Sequence, residues 1–186
     1  MERFSNWDRR EDCAIHKSLK KVLFLECGSK PQDATFQIDE NGNVVSDQFF
    51  VLDRLFIDTK KLCKPLVKLE FSSLVSFDAT DTEVPLAITA NLLFSLIKVC
   101  DGEKEVLQTW EYVNSIAITD AALGFTVTSS EPFTVTFCDK PYPCDKNSGC
   151  CEYRMVVKGV AFDGTFTSLR VTKPDLSAIV QGIIEA

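Results

Sequence analysis

The feature that most restricts the fold of this chain is a period-two alternation of apolar and polar residues. In the run 86–100, one face holds Leu86, Ile88, Ala90, Leu92, Phe94 and Leu96. The run 65–77 places on one face Val67, Leu69, Phe71, Val75 and Phe77. The run 132–138 does the same with Phe133, Val135 and Phe137. Alternation of this kind predicts half-buried β-strands, and helical spacing is hard to find in this sequence.

Turn signals separate the strand-like runs. Asn41-Gly42, Asp101-Gly102 and Asp163-Gly164 each lie between two such runs, and these dipeptides tolerate the positive φ angles of tight hairpins. Three hairpins indicate a largely antiparallel protein. We therefore predict an all-β fold of about eight or nine strands, arranged as a jelly-roll-like antiparallel β-sandwich. The apolar tail, 176–186, is interpreted as a last strand or a short helix.

The chain of 186 residues fits a single domain preceded by a short arm. Residues 1–17 are polar and lack periodicity, so we interpret them as an extended, flexible N-terminal connector arm, and 18–186 as one β-sandwich domain. Residues 1–21 carry a net charge of +2, which leaves −9 for the rest of a chain whose total is −7. A basic arm on an acidic body suits docking onto a like subunit and does not suit nucleic-acid binding. A solvated tail with incidental charge is the alternative.

The number of cysteines and the N-terminal sequence point to different cellular compartments. Eight cysteines normally indicate disulfides and export. The first residues, MERFSNWDRREDC, are charged and lack the apolar stretch of a secretory signal, and no window reaches the roughly 18 apolar residues of a membrane helix. Three interpretations remain: a cytosolic metal site, buried reduced thiols, or oxidation after the producing cell lyses.

Four of the cysteines crowd into 138–151, a segment rich in Pro, Gly, Asn and Asp. Their spacings are unlike the pairs two to four residues apart that are typical of zinc sites. We therefore predict a disulfide-clamped loop with Cys138, Cys144 and Cys150 as candidates, and no metal site. Because neighbouring residues of a strand point to opposite faces, Cys150 and Cys151 are expected to serve different partners, one of them in a neighbouring subunit. Pairing of both within the loop is the alternative.

Cys13 differs because it lies in the predicted arm. A thiol on a mobile tether can reach another molecule, and an arm can add a strand to a neighbour's open sheet edge before a disulfide locks it. Eight cysteines allow 105 pairings, so the connectivity stays open. Cys63 is not assigned to either group.

Catalytic chemistry finds little support. The single histidine, His16, lies in the polar arm and cannot anchor a Ser-His or Cys-His arrangement in the core. The sequence has no GxSxG, P-loop or GxGxxG motif. We predict that the chain is not an enzyme and has no catalytic residue, metal or cofactor. The segment Asp39–Asn43 resembles a weak calcium loop, but a plain hairpin turn is the favoured interpretation.

A binding module for glycans or coat proteins is the alternative function. The aromatic residues Trp110 and Tyr112 offer the only signal for it, and on an alternating strand such residues more often lie in the core.

Several stretches, taken as a set, carry a resemblance. They are VLFLECG (22–28), FIDTKKLCKPLVKLEFSSLVSF (56–77), LLFSLIKVCDGE (92–103), FTVTFCD (133–139) and the closing CC-x-Y (150–153). In this order they resemble a family of small cysteine-rich proteins of unknown function from endospore-forming clostridia. The resemblance covers most of 22–157 and implies association with spores.

The general plan is also similar to that of endospore appendage (Ena-type) subunits, in which a cysteine-bearing connector joins jelly-roll subunits into stiff fibres. By position, this similarity implies that Cys13 is the connector thiol and that cysteines of the body, such as Cys27 or Cys100, receive it. Together with Cys151, these are the candidates for intermolecular disulfides. One departure from the plan is that the arm holds a single cysteine rather than an adjacent pair.

We therefore expect a structural subunit that assembles with copies of itself. It would be made in the mother-cell cytoplasm and end on the spore surface, in the exosporium, coat or an appendage. The expected partners are further copies of the chain and other spore coat proteins. No nucleic acid or membrane is expected among them.

Overall fold

The computed structural model describes residues 19–81, 86–118, 125–140 and 150–185. These residues form nine β-strands: β1 (Leu19–Cys27), β2 (Ala34–Thr35), β3 (Phe49–Asp58), β4 (Cys63–Asp81), β5 (Leu86–Cys100), β6 (Glu103–Ile118), β7 (Phe125–Asp139), β8 (Cys150–Asp163) and β9 (Thr165–Glu185). No helix that could cross a membrane occurs in these ranges. The predicted arm, 1–17, lies outside them.

The strands form two antiparallel sheets that pack as a sandwich, which confirms the predicted fold class. Sheet A has the order β1-β9-β4-β7, with the short β2 also pairing with β9, and sheet B has the order β3-β8-β5-β6. The pairs β1–β9, β3–β8, β4–β7 and β5–β6 are nested within one another along the chain. The fold is thus one long antiparallel ribbon rolled into two sheets, which is the jelly-roll arrangement.

The ribbon has its tip at Asp101-Gly102, where the sequence predicts a hairpin. Cys100 pairs directly with Glu103, and both turn residues have positive φ, 51° and 87°. Two consecutive positive φ angles define the turn that matches the twist of paired strands. This prediction is confirmed. The Asn41-Gly42 turn is also present, closed by a hydrogen bond from Gly42 N–H to Asp39 O at 3.0 Å and by an isolated bridge between Ile38 and Val44. The flanking strands β2 and β3 do not pair with each other, so the turn does not join a regular two-stranded hairpin.

The predicted hairpin at Asp163-Gly164 is wrong. Gly164 does adopt a positive φ of 101°, and the chain reverses there. The flanking strands do not pair, however, because β8 belongs to sheet B and β9 to sheet A. The turn carries the chain from one sheet to the other.

The core between the sheets follows the predicted alternation. The inward residues of β4 and β5 are buried, from Val67 and Phe71 to Ile88 and Phe94. The side chains that β7 points inward pack against them, and the ring of Phe133 stacks on that of Phe94 with centroids 4.0 Å apart. Sheet A therefore rests on sheet B through aromatic contacts as well as aliphatic ones.

The ladder between β4 and the inner strand β9 has three register shifts, and the one near the middle of β9 contains a proline. The register between β4 and β9 shifts between Ser72 and Leu74, opposite Lys173 and Pro174. Lys173 has a φ of 53°, and its N–H donates to Asp33 Oδ1 at 3.0 Å instead of to the ladder. A bulge of this kind is where a central strand tolerates proline.

Candidate functional site

The structure places six of the cysteines. Cys27 ends β1, Cys63 begins β4, Cys100 ends β5, Cys138 lies near the end of β7, and Cys150 and Cys151 begin β8. Cys13 and Cys144 lie outside the described residues.

Cys100 and Cys151 form a disulfide bond within the chain. They are direct register partners on β5 and β8, and their Cα atoms are 4.5 Å apart, a separation typical of the closely spaced pairs of an antiparallel ladder. The prediction that either thiol bonds to a second chain is therefore corrected. Each sulfur atom already has its partner on the neighbouring strand.

Cys150 and Cys151 point to opposite faces of β8, as predicted for adjacent residues of a strand. Cys151 is buried between the sheets, whereas Cys150 is exposed on the outer face of sheet B. That the two thiols serve different partners stays a prediction. The inward one takes Cys100, and the outward one has no bond to another described cysteine.

Cys27 and Cys138 lie on the outer face of sheet A at its two opposite edges. The register row Leu25–Ile179–Lys68–Cys138 crosses all four strands, and Cys27 is two residues from Leu25. Three steps of about 4.8 Å separate the edge strands by about 14 Å. A disulfide needs Cα atoms within about 7 Å, so these two exposed thiols cannot bond to each other in one chain.

The predicted loop clamp stays a prediction. Cys138 and Cys150 flank the segment 141–149, both are exposed, and neither forms a disulfide with another cysteine of the described residues. The third candidate, Cys144, lies in that segment, outside the described residues. Cys63, which had no predicted role, is half-buried and is the register partner of Ile183.

A polar cluster joins the two sheets beside the disulfide. Asp139 Oδ2 of β7 accepts a hydrogen bond from Tyr153 Oη at 2.7 Å and pairs with Lys98 Nζ at 2.7 Å. The Lys98 ammonium also lies 5.8 Å from the centroid of the Tyr153 ring. Burial, together with the hydrogen bond to Asp139, raises the pKa of Tyr153.

The sequence interpretation missed this cluster, although a signal existed. Lys98 continues the buried face of β5, in phase with Leu96 and Cys100, and Asp139 continues that of β7 after Phe137. A charged residue at an inward position needs a partner, because burial of an unpaired charge is costly.

The segment Asp39–Asn43 forms a self-contained turn. The Asp39 carboxylate accepts the backbone N–H groups of Asn41 and Asn43, at 2.9 and 2.8 Å, and the Asn43 side-chain amide at 3.0 Å. These hydrogen bonds, with the Asn43 side chain first, lower the pKa of Asp39. Its oxygens are thus used by the turn itself. Within the described residues, no group of three or more His, Cys, Asp or Glu side chains could hold a metal.

Trp110 and Tyr112 point into the sandwich. Tyr112 is buried, and Trp110 is half-buried with its ring edge-to-face against Phe137 at 6.5 Å. Neither ring forms an exposed platform for a sugar, so the alternative of a glycan-binding module loses its only signal.

A cleft of about 460 Å³ opens between the 43–47 segment and the end of β8. Its charged side chains, Asp47 and Lys158, already pair with each other at 3.2 Å. Its remaining walls include Val44, Leu93 and Phe162. The cleft adds no candidate catalytic group, and the expectation that the chain is not an enzyme stays a prediction.

Comparisons with known proteins show the family but no activity. A comparison with curated proteins finds no match. Solved structures that resemble the chain include the infectious bursal disease virus Gx strain, at 11% identity and a TM-score of 0.32, covering 89% of this chain and 38% of that one. They also include the VP2 subviral particle of infectious bursal disease virus, at 10% identity and a TM-score of 0.21, covering 90% and 42%. The chain spans about two fifths of the length of these structures, and likenesses this weak support no argument about function.

The family model described as a domain of unknown function matches residues 22–181, from the third residue after the start of β1 almost to the end of β9. Because this match covers most of the sequence, the chain belongs to the DUF4489 family.

Proposed function

We propose that this chain is a structural subunit that assembles with copies of itself into a spore-surface appendage or outer spore layer. Strand or arm docking brings the subunits together, and intermolecular disulfides then join them covalently. Other spore coat proteins are further partners. The location on the spore rests on the resemblance to clostridial endospore proteins.

The observation that carries the proposal is the position of Cys27. Its thiol is exposed on the outer face of sheet A. Cys138 lies about 14 Å away across that sheet, and Cys150 lies on the outer face of the other sheet. Cys27 is the register partner of Ser177 on β9, and Cys63 is that of Ile183. The two cysteines are therefore six residues, or about 20 Å, apart along the strand direction. No described cysteine of the same chain is therefore within bonding distance of Cys27.

The chemistry of the link needs only an oxidant. Two thiols lose two protons and two electrons to dioxygen, giving a disulfide and hydrogen peroxide. In the reducing cytoplasm of the mother cell the thiols stay reduced, and lysis of that cell exposes them to oxygen. Synthesis and cross-linking are thereby separated in time, which prevents premature polymerisation.

The decisive experiment compares the oxidised and the reduced full chain. On non-reducing gels the oxidised protein should form a ladder that dithiothreitol collapses, and electron microscopy should show fibres or layers. Cys27→Ser should shorten the ladder, whereas Ser177→Ala, at the register partner of Cys27, should not. A single monomer band under both conditions would reject the proposal.

A further inference from the structure

Within the described residues, the strand β1 leaves one edge of sheet A open. Among the described strands, β1 pairs only with β9. Gly28 N donates to Leu176 O at 2.6 Å, which continues the β1–β9 register beyond Cys27 and Ser177. Because backbone groups alternate in direction along a strand, the even-numbered residues of β1 face β9. Lys21, Leu23 and Leu25 therefore direct their N–H and C=O groups to the open edge.

The side chains of this edge are unusually apolar for an exposed strand. Leu23 and Leu25 are 69% and 64% exposed, and Ile179, the register partner of Leu25, is 39% exposed. Edge strands are usually protected by outward charges, proline or bulges. Lys21 is a charged residue on this edge, but the run Val22–Leu25 that follows it has no charge, proline or bulge and fits a strand that pairs with another strand.

The sequence of β1 is complementary to itself in the antiparallel direction. When two copies pair about Leu23, Lys20 of each lies directly opposite Glu26 of the other, and Val22 lies opposite Phe24. Opposite charges and apolar pairs in directly opposing positions stabilise antiparallel strands. Leu23 then meets Leu23 of the second copy as a hydrogen-bonded pair, as the direction of its backbone groups requires.

We infer that β1 is a self-complementary docking edge, which pairs antiparallel with β1 of a second copy about Leu23 and joins the two A sheets into one. The inference rests on the proposed self-assembly and identifies one of its contacts. This contact is noncovalent, so it forms in reducing conditions and precedes the disulfides. The two-fold arrangement uses the same surface on both subunits.

Analytical ultracentrifugation of the full chain in dithiothreitol tests the contact. The wild-type protein should form a dimer. Lys20→Glu replaces two attractive pairs per dimer with two repulsive ones and should raise the dissociation constant at least about tenfold. The double variant Lys20→Glu/Glu26→Lys restores opposite charges at both positions, so it should recover the dimer. Only a register that opposes these two residues predicts this recovery.

Two further variants test whether the dimer depends on the β1 edge in particular or on any exposed apolar residue. Leu23→Lys sets two like charges opposite each other at the centre and should abolish the dimer. Val113→Lys changes an apolar residue that is 54% exposed on β6, an edge strand of sheet B, and should leave the dimer intact. Circular dichroism should show an unchanged fold in both.

A monomeric wild-type protein in reductant would overturn this contact, as would a dimer insensitive to Lys20→Glu. If either result occurred while the oxidised protein still formed its ladder of bands on non-reducing gels, only the β1 contact would be rejected and the proposed function would still be supported. Loss of the ladder with retention of the dimer would reject the covalent assembly and leave the contact.

Discussion

Cys100 and Cys151 face each other across β5 and β8 and join two strands that are 51 residues apart in the sequence. The bond lies at the end of the sandwich from which β8 starts, next to the polar cluster of Lys98, Asp139 and Tyr153. Covalent and polar links therefore close the same end of the fold.

Removal of this disulfide should destabilise the monomer. The double variant Cys100→Ser/Cys151→Ser should lose about 2–4 kcal/mol of unfolding free energy, because the bond restricts a long loop in the unfolded chain. Urea denaturation under non-reducing conditions measures the loss. Cys27→Ser, at an exposed position outside the core, should change stability by less than about 0.5 kcal/mol. A double variant as stable as the wild type would contradict the structural role of the bond.

Asp53 should be among the most sensitive polar residues of the fold. It is 1% exposed, and its carboxylate accepts backbone N–H groups of Lys30, Arg54 and Leu176 at 3.2, 2.8 and 3.1 Å. Asp53→Ala leaves these donors without partners and should cost about 3 kcal/mol or more. Asp58→Ala, at the exposed last residue of β3, is the control and should cost less than about 1 kcal/mol. Thermal and urea unfolding compare the two, and equal losses would contradict the prediction.

Tyr153 should make the fold sensitive to alkali. Burial, and then the hydrogen bond to Asp139, raises its pKa above the ordinary value of 10.0. The phenol ionises more easily in the unfolded chain, so its contribution is complete below pH 10 and should be lost as the pH rises beyond that value. Tyr153→Phe should lower stability at neutral pH by about 1–2 kcal/mol and flatten the alkaline decline. Urea denaturation across this range measures both effects, and an unchanged slope would count against the prediction.

Asp78 should make the stability of the fold sensitive to acid, whereas Tyr153 makes it sensitive to alkali. Its carboxylate accepts hydrogen bonds from the Thr128 hydroxyl at 2.7 Å and the Ser168 hydroxyl at 2.8 Å, which hold its pKa below the ordinary value of 3.8. The stabilisation is present above that value and should be lost as the pH falls through the lowered pKa. Asp78→Asn should remove this part of the acid sensitivity, at a cost of less than about 1 kcal/mol at neutral pH, because the half-buried side chain lies on the outer face of sheet A, where solvent screens its charge.

The matched control for Asp78 is Asp175→Asn, at an exposed carboxylate of the neighbouring strand β9. Acid titrations followed by circular dichroism should distinguish the two variants. Identical acid profiles for Asp78→Asn and the wild type would contradict the assignment.

The sequence predicted the faces of the strands well because burial repeats every two residues. Val67, Phe71, Ile88 and Phe94 are buried as expected, since a strand covered on one side can hide only alternate side chains. Turn chemistry was less informative. Both Asp101-Gly102 and Asp163-Gly164 reverse the chain, but a turn does not specify whether its two strands stay in one sheet.

Contacts between distant segments could not be read from the sequence. Cys100 and Cys151 both lie on inward faces, yet many pairings were compatible with eight cysteines, and the order of strands in the sheets decides which thiols meet. The opposite faces of Cys150 and Cys151 were predictable because they depend only on strand geometry. The open edge of β1 became visible only with the topology, because it depends on which strand ends each sheet.

The nested pairing of strands also sets an order for folding. Among the described strands, only β5 and β6 are neighbours in both sequence and sheet, so the ribbon can close first at its Asp101-Gly102 tip and proceed outward. The β1–β9 pair has the longest sequence separation and is therefore expected to close last. During synthesis, the edge that carries Leu23 and Cys27 therefore cannot form until β9 has left the ribosome, so incomplete chains would be kept out of the proposed assembly at this edge.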